Sequence, residues 1–120
     1  MRIADAMKEI RLNNEDKGWE SRGRDLFCEK MLLVVSEISE ALEEFRNGRG
    51  LNEIYYPTSG AAHREAGTIE KPEGIPIEIA DAVIRLFDWC AANDVDLETA
   101  LALKMAYNAT RPHRHGGKLV

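Results

Sequence analysis

The stretch FCEKMLLVVSEISEALEEFR, Phe27–Arg46, decides the fold. It holds neither Gly nor Pro and carries five Glu and three Leu, which lose little conformational freedom in a helix. Apolar residues recur at helical spacing, with Phe27, Met31, Val34, Ile38, Leu42 and Phe45 along one stripe. Met31-Leu32-Leu33-Val34-Val35 is apolar on every side, so this helix must be covered on every side. Asn47-Gly48 closes it, because Gly tolerates the left-handed conformation of a helix end. The pattern predicts a helix over about 24–46.

Working outward, the helical period continues on both sides. Ile3, Met7 and Ile10 predict a first helix that fades near Asn13-Asn14, with Lys17-Gly18-Trp19 ending the unit. Beyond the central helix, 49–75 breaks the period with Gly50, Pro57, Gly60, Gly67, Pro72 and Gly74. It reads as a long loop and a candidate lid, with Tyr55-Tyr56 near its start and one helical turn around Ala61–Glu65. Pro76 suits the first turn of a third helix that runs to about Ala92. Asp96 can cap a fourth, from Leu97 to about Ala109. A basic tail, 111–120, turns at Gly116-Gly117. Nothing reads as a sheet. The expectation is one all-α domain over 1–120, a four-helix bundle whose central helix is finally covered in a homodimer or homotetramer.

Composition narrows the function classes. The 120 residues carry 21 Asp+Glu against 16 Lys+Arg, a net charge of −5, and 44% are hydrophobic. That apolar share argues against disorder, and no apolar run approaches the ~18 residues of a membrane span. The acidic balance speaks against duplex nucleic acid as a partner. Met1-Arg2-Ile3-Ala4-Asp5 has no signal-peptide core, so a cytoplasmic location is expected. Cys28 and Cys90 are then read as reduced, buried thiols.

Two acidic doublets carry the chemistry. Glu37-x-x-Glu40 lies on the second helix and Glu78-x-x-Asp81 on the third. The i, i+3 spacing puts both acids of a doublet on one helix face. If the helices pack side by side, four carboxylates converge. Two like charges about 4 Å apart repel by about 4 kcal/mol at an effective dielectric of about 20, so such a cluster calls for a cation. Oxygen-only ligands favour magnesium, or manganese, and the Glu-x-x-His pairs of a di-iron bundle are missing. The plain alternative is a solvated acidic face. Glu43 and Glu44 extend the run, and Glu44 falls two turns after Glu37.

A basic strip stands apart. Lys104, Asn108 and Arg111 share one face of the fourth helix, and Arg114 and Lys118 follow with no Asp or Glu beyond Lys104. The strip suits phosphate contacts, or simply a helix C-terminus favoured by its dipole. Trp19, Tyr55 and Tyr56 are candidate base-stacking residues. Lys30 is a candidate phosphate contact. Arg85, four residues after Asp81, is either a phosphate contact or an ion-pair partner for the acids.

Taken together, Glu37-x-x-Glu40, Glu78-x-x-Asp81 and Lys104-x-x-x-Asn108 resemble the pattern of the MazG-like nucleoside triphosphate pyrophosphohydrolases. Lys17-Gly18-Trp19 and the ending Asn108-x-x-Arg111-Pro112-x-x-His115-Gly116 are similar to that family too, so the resemblance spans the chain. It implies an all-α fold, a homo-oligomer, and magnesium-dependent hydrolysis of a nucleoside triphosphate to the monophosphate and pyrophosphate, in a house-cleaning role. Glu37, Glu40, Glu78 and Asp81 would ligate metal and serve catalysis, with Glu37 or Glu40 as general base. Lys104, Asn108, Arg111, Trp19 and Lys30 would contact substrate. The loop between the doublets is longer than in compact members. A non-catalytic nucleotide-binding module and a helical interaction protein are the rival classes.

Overall fold

The computed structural model describes residues 2–57 and 69–120. The helical turn expected around Ala61–Glu65 lies outside them. Among the described residues four long helices are present, α1 (Ile3–Asp16), α2 (Phe27–Arg46), α3 (Ile75–Ala92) and α4 (Leu97–Thr110), with a short kinked turn at Arg114–Gly117 after them. No β-strand occurs among the described residues, and none of their helices is long and apolar enough to cross a membrane.

Glycine sets two helix ends by the same device. After α2, Gly48 takes φ +85°, its N–H reaches the Phe45 carbonyl, and the Arg49 N–H reaches the Glu44 carbonyl. After α1, Gly18 takes φ +82° and repeats the pattern with Glu15 and Asn14. These paired bonds satisfy carbonyls that the helix leaves open. They also correct one expectation: α1 does not fade at Asn13-Asn14 but runs on to Asp16, because its stop is Gly18. The central helix likewise starts in a tighter turn, Arg24–Leu26, before α2 proper.

The connection into α3 depends on close backbone approach. Tyr55 and Glu73 exchange both main-chain hydrogen bonds, at 2.9 and 2.8 Å. That pairing brings the Glu53 carbonyl against Gly74, where a Cβ would sit 2.2 Å from the oxygen at φ +131°. Only glycine fits there. Gly74 then opens α3, Pro76 follows in its first turn, and Glu78 comes one turn later.

The packing is a layer rather than a closed bundle. α3 is central, packed extensively on α2 and on α1, while α4 rests lightly on α1. The chain measures 57 × 35 × 29 Å with a radius of gyration of 17.8 Å, against about 14 Å for a compact domain of this length. Among the described residues the buried apolar set is small: Ala6, Met7, Ile75, Ala82, Cys90 and Ala92. The apolar stripe of α2 is only partly covered by its own chain. Phe27, Ile38, Leu42 and Phe45 are about half exposed, and Glu37 is the buried residue of the helix. Cys28 is exposed, not buried; Cys90 is buried, and both are free.

Candidate metal centre

Packing α2 against α3 brings the two acidic doublets together. One carboxylate oxygen from each of Glu37, Glu78 and Asp81 lies within 4.8 Å of the others. Glu40 stands at the rim, exposed, and within hydrogen-bonding reach of Glu37 and Glu78. Three of the four expected ligands therefore form a tight set and the fourth adjoins it.

Electrostatics show the strain of holding like charges. Burial pushes the Glu78 carboxyl up to about 7, helped by its hydrogen bonds and charge contacts with Glu40, Glu37 and Asp81. Burial also raises Asp81, with the charge of Glu37 adding and those of Arg85 and Lys71 opposing. Burial works against the charge on Glu37 too, yet the Arg85 hydrogen bond and its neighbours hold it below the usual range. The Arg85 Nε donates to Glu37 Oε1 at 2.8 Å. Arg85 is thus the ion-pair partner that its spacing allowed.

One atom tests the fit of a cation. Glu78 Oε2 is sealed from solvent and finds no hydrogen-bond donor among the described residues. A buried oxygen without a donor is costly unless protonated or bound to a cation. Three convergent carboxylates, one of them carrying an orphaned oxygen, could hold a hard divalent ion.

These shifts fix a pH dependence for the metal-free protein. Glu78 and Asp81 hold their protons more tightly folded than unfolded. Their contributions are complete below the unfolded carboxylate range and are lost as pH rises above it, that of Glu78 through about 7. Glu37, Glu20, Glu53 and Asp96 shift the other way, so their contributions are complete above their ordinary values of about 4–4.5. The melting temperature in chelator is expected to fall between pH 5 and 8, to recover on adding magnesium at pH 8, and to lose its slope in Glu78→Gln. Calorimetry across that range checks it; a flat profile in the unmodified protein contradicts the protonated cluster.

A cavity of about 460 Å³ opens beside the acids, lined by Trp19, Lys30, Glu37, Asp81, Arg85 and Asp88 among others. Two predicted substrate residues, Trp19 and Lys30, therefore share a cavity with Glu37 and Asp81. Tyr55 does not serve as a free stacking face: its hydroxyl donates to Glu44 at 2.8 Å and Arg49 lies 3.6 Å over its ring. Glu44 is engaged there. Lys104 and Arg111 flank Tyr107 on an exposed stretch of α4 that packs lightly on α1. Their strip is not brought into extensive packing with the α2–α3 pair of their own chain.

Sequence reading missed Asp88. It lies seven residues after Asp81, hence on the same side of α3, and lines the same cavity. Its carboxylate takes Arg11 Nη1 at 2.7 Å and the Ser21 hydroxyl. In comparisons of this chain with protein-family models, curated proteins and solved structures, nothing matches.

Proposed function

We propose that this protein is a magnesium-dependent nucleoside triphosphate pyrophosphohydrolase of the MazG-like kind. The observation that carries the reading is the convergence of Glu37, Glu78 and Asp81, from two helices, with Glu37 and Asp81 lining a cavity that also holds Lys30 and Arg85. Acids for a divalent ion beside cations for phosphate oxygens make a site for a metal-bound polyphosphate, not for a metal alone.

Glu37, Glu78 and Asp81 would hold the ion, with Glu40 adjoining. Bound magnesium supplies charge neutralisation and Lewis acidity toward a phosphoryl group. Glu40, exposed at the rim, is the carboxylate best placed to take a proton from an attacking water. Lys30 orients phosphate oxygens while Arg85 holds Glu37, and the exposed Trp19 ring offers a face to the base. Lys104, Asn108 and Arg111 complete the reading as phosphate contacts in a homo-oligomer, where the exposed α4 of one copy meets another.

The test is a product assay. Purified protein incubated with a panel of ribo- and deoxyribonucleoside triphosphates is expected to release the monophosphate and pyrophosphate only with magnesium or manganese present. Diphosphate with orthophosphate contradicts the cleavage position. Metal-dependent binding without turnover points to a non-catalytic nucleotide module.

A further inference from the structure

The link between α1 and α2 is held by α3, far away in sequence, and the hold centres on two charged side chains. Arg11 uses three donors on three elements: Nε to Glu15 at 3.1 Å, Nη1 to Asp88 at 2.7 Å and Nη2 to the Trp19 carbonyl at 2.8 Å. Asp88 spends one oxygen on Arg11 and the other on the Ser21 hydroxyl. Ser21 is 0% exposed and Asp88 6%. Asn93, at the end of α3, accepts from the Gly23 N–H and donates to the Ser21 carbonyl.

Trp19 is fixed through its main chain at both ends. Its N–H reaches the Asn14 carbonyl at 2.9 Å and its carbonyl takes Arg11. The residue remains 63% exposed at the cavity that also holds Glu37, Asp81 and Asp88. Trp19 is the sole aromatic among the described residues lining that cavity, and Arg11 holds it by its main-chain carbonyl. Arg11 makes that grip with a planar fork, and Asp88 fixes the fork's orientation.

We propose that Asp88, acting through Arg11, is a positioning residue that sets the Trp19 ring against the base of a bound nucleoside triphosphate. This rests on the triphosphate reading of the site. Asp88 and Arg11 touch neither phosphate nor metal; their effect runs through Trp19.

The experiment combines a ligand-free and a kinetic readout. With Trp89→Phe as background, Trp19 is the sole tryptophan. Asp88→Asn and Arg11→Lys are expected to change acrylamide quenching of Trp19 while helical circular dichroism holds. In steady-state hydrolysis with magnesium, Asp88→Asn is expected to raise KM about tenfold with kcat changed less than about twofold. In a Trp19→Ala background the same substitution should change KM less than about twofold. Equal KM effects with and without the Trp19 ring overturn the proposal, as does unchanged quenching in both variants. Should the protein turn over no triphosphate, the hydrolase reading fails. The positioning of Trp19 is then still decided by quenching in Arg11→Lys, which keeps the charge and loses the fork.

Discussion

Asp81→Asn is expected to cut magnesium-dependent pyrophosphate release by roughly 10²–10³-fold. The change keeps the size of the side chain and the helix that carries it, and removes one charged oxygen from a set that closes within 4.8 Å. A hard divalent ion held by three carboxylates loses most when one becomes a neutral amide. The same substitution should not weaken the metal-free protein. Asp81 is a carboxylate whose charge the fold resists, through burial and the charge of Glu37, so its neutralisation relieves repulsion. Loss of activity with an equal or higher melting temperature in chelator is therefore the signature of a metal ligand, and a lowered melting temperature is that of a structural acid. Glu43→Gln supplies the control. Glu43, exposed on α2, pairs with Arg46 at 3.3 Å, and its substitution should change the rate less than about twofold. An Asp81→Asn protein retaining a tenth of the activity would contradict the assignment.

The legible part of this molecule is what helical period and local chemistry dictate. Glu37, Glu40, Glu78 and Asp81 were readable as two faces because an i, i+3 spacing needs no knowledge of the partner helix. That α2 and α3 lie side by side followed from nothing local, yet it is what turns two faces into one centre. The Glu37–Arg85 pair could be read as one of two options from the spacing of Arg85 alone. Asp88 could not, since its partners Arg11 and Ser21 are 77 and 67 residues away. Its only sequence signal was a heptad step from Asp81. The α1 boundary shows the opposite case. Two asparagines of modest helix propensity suggested a stop, and the real stop was the glycine that accepts a positive φ. The stripe of α2 left open which side meets its own chain, because a helix apolar all round does not reveal it. Burying Glu37 turned Ile38, Leu42 and Phe45 outward.

That outward face yields the second large effect: Leu42→Glu is expected to convert a homo-oligomer into a monomer of 13.5 kDa by light scattering after gel filtration. Val35, Ile38, Leu42 and Phe45 are 57, 52, 57 and 58% exposed and follow the three-four-three spacing of a helix-pairing seam. Leu32 extends it, at 68%. Covering the exposed half of each such side chain stabilises by about 1–1.5 kcal/mol. One copy of the seam barely meets the ~4–15 kcal/mol lost in association, but a two-fold axis presents the seam twice. A glutamate at the middle of that seam is then buried twice, close to its own symmetry mate, which no nearby cation of α2 relieves: Arg46, the basic residue of the last turn, pairs with Glu43. The chain fold should survive, because Leu42 makes no part of the buried core. Activity should not survive if Lys104 and Asn108 act across copies, since α4 packs only lightly within its own chain. A Leu42→Glu monomer with full turnover would keep the interface and remove α4 of a second copy from the site. An unmodified protein that is already monomeric would leave the seam without the self-association argued for it.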